Sequence, residues 1–297
     1  RCLSDWSSDV CSSDLGRATR GNPVLMSRIS DTFARLGASG RKALIPFVTA
    51  GHPHRDCTPQ VLRELARNGA DIIELGVPFS DPMADGPAIQ RANECALAQK
   101  VGLRDVFGWV REFRREDPQT PVVLMGYANP VERMGIETFL DEAAAAGVDG
   151  LIVVDYPPEE SESFSRAALA RGIDPIFLLA PTSTESRVGQ VLSLASGYVY
   201  YVSLKGITGG TLDREDVRKR VAAIKARTAL PIGVGFGIRD AETACAVAES
   251  SDAVIIGTRL IQVLEEGDPA GAAQRVGEFI GGIRRALDER FAAAARA

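Results

Sequence analysis

Residues 74 to 90 read ELGVPFSDPMADGPAIQ, where a short apolar run, Asp71-Ile72-Ile73-Glu74-Leu75, carries a carboxylate near its end and opens into a loop with two more, Asp81 and Asp85. Glu74 has Ile72, Ile73, Leu75 and Val77 for neighbours. An ionised carboxylate among such groups is desolvated, which raises its pKa. A carboxyl poised toward neutral pH gives and takes protons, so Glu74 is a candidate general acid/base. The competing reading makes Glu74 a strand-end charge facing solvent, with Pro78, Pro82, Gly86 and Pro87 only shaping a loop.

A second chemistry is suggested by glycines. Gly206-Ile207-Thr208-Gly209-Gly210, Gly233-Val234-Gly235-Phe236-Gly237-Ile238 and Gly257-Thr258 each follow or end an apolar run. Glycine lets a backbone N–H approach an anion with no Cβ in the way, and a helix N-terminus adds further N–H groups. Each segment also suits a plain tight turn, but three at neighbouring strand ends point to a phosphate site. The only two histidines, His52 and His54, form a GHPH loop. A metal site would need more ligands of that kind, so a polar loop around Pro53 is expected and no metal.

These groups need a frame. From residue 43 onward short β-branched runs alternate with helical stretches of ten to sixteen residues, the signature of βαβ units on a parallel sheet. Eight strands are predicted, at 44–49, 71–75, 122–126, 150–155, 174–179, 198–203, 232–235 and 253–257. Eight such units suit a closed (β/α)8 TIM barrel better than an open doubly wound sheet. An extra helix is expected near 88–99, after strand 2, and another, a long Ala/Arg-rich one, after the eighth unit. An amphipathic pattern at Ile29, Phe33 and Leu36 predicts an additional N-terminal helix. In a barrel the loops after the strands form the catalytic face, and the longest falls after strand 2. Phe47, Thr49, Tyr127, Asn129, Asp155, Tyr200, Ser203, Thr208 and Phe236 share that face. Asp155 is expected either to cap a loop or to hold Thr49 and Tyr127.

The 297 residues, 45% apolar and 25% charged, are of ordinary globular composition. The formal charge of −5 argues against nucleic acid or an anionic membrane as a partner. No stretch has the length of a transmembrane helix, and five cysteines without a C-x-x-C pair suit free thiols in a reducing cytoplasm. Residues 1–25 repeat an S-S-D triplet, lack apolar periodicity and resemble translated sequencing-adapter sequence. They are expected to be a disordered, non-native leader, with the chain proper starting at Met26 and 26–297 forming a single catalytic domain.

With these residues assembled, the sequence closely resembles the tryptophan synthase alpha chain family. The ELGVPFSDPMADGPAIQ motif is joined in order by PFVTAG at 46–51, GYANP at 126–130, VVDYPPEE at 153–160, YYVSLKGITG at 200–209, GFGI at 235–238 and IIGTRL at 255–260. The resemblance implies retro-aldol cleavage of indole-3-glycerol phosphate to indole and glyceraldehyde 3-phosphate, with no cofactor on this chain. Carried over by motif position, Glu74 is the general acid/base, Asp85 the carboxylate that accepts the indole N–H, and Tyr200 a tyrosine near the reacting hydroxyl. Asp85 is expected to be polar and ionised, and Glu74 apolar and easily protonated. Phe47, Tyr127 and Phe236 would flank the indole, Thr208 would lie in a loop closing over Asp85, and Gly209, Gly237, Gly257 and Thr258 would hold the phosphate.

The implied partner is a beta subunit using pyridoxal phosphate, in an α2β2 complex. Pro78, Asp81, Asn129, Pro130 and the loop after strand 6 are the implied contacts. The sequence departs from the family at Thr258, where serine is frequent, and at Gly210, where alanine is frequent. Three rivals stand beside this reading: a stand-alone indole-3-glycerol phosphate lyase, which the active-site residues leave open; another phosphate-binding barrel such as an isomerase, which would lack the SDPMADGP loop; and a non-catalytic subunit that activates a partner, which would have lost a key carboxylate, whereas Glu74 and Asp85 are both present.

Overall fold

The computed structural model describes residues 27–203, 214–235 and 237–292. The proposed leader with Met26, the segment holding Thr208 and Gly209, and Phe236 lie outside them.

Nine parallel strand segments run β1 (Ala43–Thr49), β2 (Ile73–Gly76), β3 (Val122–Gly126), β4 (Gly150–Val153), β5 (Asp174–Pro175), β6 (Phe177–Leu179), β7 (Val199–Val202), β8 (Ile232–Gly235) and β9 (Ala253–Ile256). Their order is β5-β4-β3-β2-β1-β9-β8-β7-β6. β5 and β6 are two halves of one strand position, separated only by Ile176, and between them they close the ring from β4 to β7. The (β/α)8 TIM barrel predicted from the alternation is therefore the fold observed, its fifth strand broken next to Pro175. Proline has no N–H to give a ladder, which accounts for a break there.

Alternation along the strands sorts the interior. Ala43, Ile45, Ile72, Val123, Ile152, Ile176, Tyr198, Ala253 and Ile255 pack inside the barrel, while Leu44, Ile73, Leu75, Leu124 and Val254 face the helices. The N-terminal helix Arg28–Ala38 drives Ile29 and Leu36 into the inner cluster with Phe33 beside them, sealing the end where the strands begin. Ser27 caps this helix by accepting the N–H of Ser30.

One device recurs at that end. Asp71, Asp149 and Asp252 each stand at or just before a strand start, and each accepts with Oδ2 the N–H of a residue on the preceding strand: Leu44 at 2.9 Å, Val122 at 2.7 Å and Ile232 at 2.9 Å. Each also has a cation, respectively Arg284, Arg114 and Lys225. This shifts β2 from its predicted span: Asp71 bonds by its side chain instead of opening the strand.

The predicted extra helices are present as Pro87–Ala98 after β2, and Thr258–Glu265 followed by Ala272–Leu287 after β9. The seven-residue helix Ala128–Met134 was not predicted; the GYANP segment reads as a loop, yet the helix runs until Gly135 at φ 88°. Its first N–H is capped from outside by Asp155 Oδ1, 2.7 Å from Ala128 N. Asp155 is thus a cap and does not hold Thr49. Cys57, Cys95 and Cys245 are free thiols. Among the described residues no helix is long and apolar enough to cross a membrane.

Candidate active site

Glu74 lies on β2 across from Phe47 of β1 and Val123 of β3, two residues after inward-facing Ile72 and so on the inner face of the barrel. It is 0% exposed, so the strand-end charge facing solvent is not what the chain builds. Burial pushes its carboxyl up to about 8, and a 2.5 Å hydrogen bond from the Tyr198 hydroxyl to Oε1 pulls in the opposite direction. Oε2 has no partner at all. At neutral pH the acid is therefore mostly protonated and within reach of giving up its proton, the state that general acid–base work requires.

The tyrosine that touches Glu74 is Tyr198. Sequence reasoning took it only as the start of a strand and selected Tyr200, two residues on. Period-two alternation puts both on the inner face, and the signal for Tyr198 lies only in the pairing of residues 124 positions apart. Tyr200 is also close to the carboxylates: burial, then the charges of Glu74 and Asp85, raise its hydroxyl well above the ordinary range. Its hydroxyl occupies the inner face of β8, where a Cβ on Gly235 would meet it at 2.2 Å. Glycine is required there by Tyr200.

Asp85 sits in the loop between β2 and helix Pro87–Ala98. Burial pushes it up to about 6, while hydrogen bonds from Tyr127 and Asn93 draw it down. The polar surroundings expected for it are thus only half realised: it is half-buried, yet still ionised at pH 7. Asn93, absent from the sequence-based selection, organises this loop. Its Nδ2 donates to Asp85 Oδ2 at 3.2 Å and to Ile89 O at 3.0 Å, and its Oδ1 accepts from Phe79 N at 3.2 Å. Tyr127 works from the other side, accepting from Ala84 N at 3.1 Å and stacking on Phe79 with ring centroids 5.1 Å apart.

Phe47 is buried, its ring lying over Gly76 and Gly257; a Cβ at those positions would come within 2.7 Å and 3.3 Å of it. Gly257 immediately precedes helix Thr258–Glu265, and Gly237 adopts φ 70° after β8. Both put N–H groups at the same end of the barrel as Glu74. Of the surface candidates, Asp81 and Asn129 are exposed, Pro130 is half-buried and Pro78 is buried; Met83 is 82% exposed.

His52 lies in the expected loop around Pro53, but its side chain turns away from solvent. It is buried, both ring nitrogens lack hydrogen-bond partners, and burial together with Arg91 pushes it down to about 4. Its Nε2 lies 3.5 Å from Glu265. Among the described residues no group of three or more His, Cys, Asp or Glu could hold a metal ion.

Comparison with known proteins gives a consistent picture. Residues 33–287 match the family described as tryptophan synthase alpha chain. The chain is 60% identical to the tryptophan synthase alpha chain of Ralstonia nicotianae over 264 residues, 89% of this chain and all of the relative. It is 61% identical to that of Burkholderia lata, over 89% and 97%. Among solved structures it is similar to tryptophan synthase subunit alpha from Legionella pneumophila, with a TM-score of 0.84 at 42% identity, covering 89% of this chain and 99% of that one. It is also similar to Mycobacterium tuberculosis tryptophan synthase, with a TM-score of 0.81 at 35% identity over 88% and 98%.

Proposed function

The chain belongs to the tryptophan synthase alpha chain family, and from that premise we propose how its residues divide the alpha reaction, the cleavage of indole-3-glycerol phosphate to indole and glyceraldehyde 3-phosphate. The observation that carries the assignment is the separation of two carboxyls by environment: Glu74 at about 8 and Asp85 at about 6. Glu74, protonated at pH 7, gives its proton to indole C3. The ring nitrogen then bears positive charge, and Asp85, ionised, accepts its N–H and stabilises that charge. Glu74, now a carboxylate, takes the proton of the glycerol hydroxyl attached to the scissile carbon. The carbon–carbon bond breaks, its electron pair returns to the ring, and the aldehyde leaves.

Tyr198 holds Glu74 by Oε1 and leaves Oε2 for the proton traffic. Tyr200 lies near the reacting hydroxyl. Phe47, Tyr127 and Phe236 form the walls around the indole. The phosphate goes to backbone N–H groups at Gly209, Gly237, Gly257 and Thr258, and Thr208 belongs to the loop that closes over Asp85.

Family membership implies a beta-subunit partner. We propose an α2β2 complex in the cytoplasm, with pyridoxal phosphate on the partner only. Exposed Asp81, Met83 and Asn129, with Pro130 beside them, present the contact surface; buried Pro78 shapes its loop from below. The family finding supports the synthase subunit and adds nothing to a stand-alone lyase or a non-catalytic activator.

The test is indole release from indole-3-glycerol phosphate by the chain from Met26 onward, with and without a beta subunit, beside Glu74→Gln. Slow turnover that rises with the partner and vanishes in the variant is expected. Rapid turnover without a partner would favour the stand-alone lyase, and undiminished activity of the variant would remove Glu74 from the mechanism.

A further inference from the structure

Thr49 ends β1 at the mouth of the barrel and is 2% exposed, yet its Oγ1 has no hydrogen-bond partner. Buried hydroxyls nearly always have one, because leaving water without a replacement bond is unfavourable. Alternation puts Thr49 on the inner face with Phe47, and pairing sets it across from Gly76, one step nearer the mouth than the Phe47–Glu74 pair. Gly76 has no side chain to offer, and the Phe47 ring fills the space where its Cβ would stand. The backbone around Thr49 is already engaged: Ala50 N donates to Gly76 O and His52 N to Thr49 O. Asp155, which shares this face, is occupied with Ala128 N. The other buried oxygen without a partner on these two strands is Glu74 Oε2.

Two such oxygens on adjacent strands, one a hydroxyl that both donates and accepts, describe a polar network completed by a ligand. We propose that Thr49 is a substrate-positioning residue, its hydroxyl hydrogen-bonded to a chain hydroxyl of the phosphorylated three-carbon unit, next to the hydroxyl that Glu74 deprotonates. The assignment rests on the reaction proposed above. It gives a reason for a threonine at a place where valine has the same shape and no unpaired polar atom: the hydroxyl is kept unsatisfied in the free chain so that it is available to the substrate.

Thr49→Val deletes the hydroxyl and keeps the shape. Measured in the complex with the beta subunit, kcat/KM for indole-3-glycerol phosphate is expected to fall about tenfold, and Thr49→Ser to stay within about twofold of the parent. The Kd for the indolylpropyl phosphate analogue, which lacks both chain hydroxyls, is expected to change less than about twofold in Thr49→Val, and the free variant's Tm not to fall. Cleavage at the parent rate by the valine variant overturns the proposal, because the hydroxyl is then idle. A parallel loss of analogue affinity overturns it too, because the pocket has then been distorted. Glu74→Gln run alongside separates this from the underlying reading: full activity there removes the reaction scheme, while a dead Glu74→Gln with a normal Thr49→Val removes only Thr49's part.

Discussion

The two ends of the barrel treat their most deeply buried carboxyls in opposite ways. Where the strands begin, Asp149 is 3% exposed and both its oxygens are bonded, to Arg28 and to Arg114 and Val122 N. Asp174 takes one serine hydroxyl on each oxygen, from Ser27 and Ser196, both at 2.5 Å. Asp252 is likewise bonded on both, to Lys225 and Ile232 N. At the mouth, Glu74 is more deeply buried than any of these and has one oxygen bonded and one bare, with Thr49 bare two residues beyond its neighbour Phe47. Satisfied carboxylates fasten strands; unsatisfied ones are held ready. The same residue chemistry becomes structural or reactive according to whether the fold completes its hydrogen bonds.

The comparison breaks most sharply at Glu74. Glu74→Gln is expected to lower kcat by about 10³-fold, within the range for losing a general acid/base, while Tm holds or rises. Steady-state kinetics and a thermal melt on one preparation check both halves. The reverse pattern is expected at the other end. Asp149→Asn leaves Arg114 without its counter-charge, and urea unfolding is expected to show a loss of about 3 kcal/mol with activity per folded molecule changed less than twofold. A dead but stable Asp149→Asn would erase the distinction between the ends.

The pH dependence of stability sharpens it further. The Glu74 carboxyl moves from an ordinary 4.5 when unfolded to about 8 when folded, so the folded chain holds a proton that the unfolded chain releases. Its contribution is full below pH 4.5 and is lost as pH rises to 8, with a slope of up to about 1.4 kcal/mol per pH unit. Glu74→Gln is expected to flatten that segment of a stability–pH curve, and an unchanged slope would assign it to another group. The smallest effect is expected from Tyr198→Phe. Tyr198 favours the ionised acid, so its removal moves the alkaline limb of the kcat profile to higher pH, with less than about tenfold change at the optimum.

Much of this was legible in the chain. Eight β-branched runs gave the barrel, and Glu74 stood out because a carboxylate flanked by isoleucines conflicts with its setting. Asp85 was found from its motif, but not the burial that lifts it to about 6, since that comes from Asn93's helix and Tyr127 folding over it. Tyr198 was invisible because its partner lies 124 residues away. Asn93 reads as an ordinary polar helix residue, and only the folded loop shows it reaching Asp85 and Phe79. A cap was one of the two roles expected of Asp155, but not that it would cap the first N–H of a helix. The aspartates before the strands escaped for another reason. An acidic residue at a strand start reads as ordinary turn chemistry, and only the register shows it reaching across to the neighbouring strand. Helix Ala128–Met134 was missed since seven residues with a proline carry too little periodicity.

The helix that seals the barrel floor also fixes an order of events during synthesis. Ser27 docks on Asp174 and Arg28 on Asp149, partners 147 and 121 residues later in the chain. At a translation rate of roughly 5 to 20 residues per second, that helix waits on the order of ten seconds for its seat to emerge from the ribosome. Its apolar face of Ile29, Phe33 and Leu36 packs on a cluster that is complete only when Ile176, Tyr198, Ala253 and Ile255 have been made as well. The plug of the finished barrel is, while the chain is being made, an apolar helix face waiting for its seat.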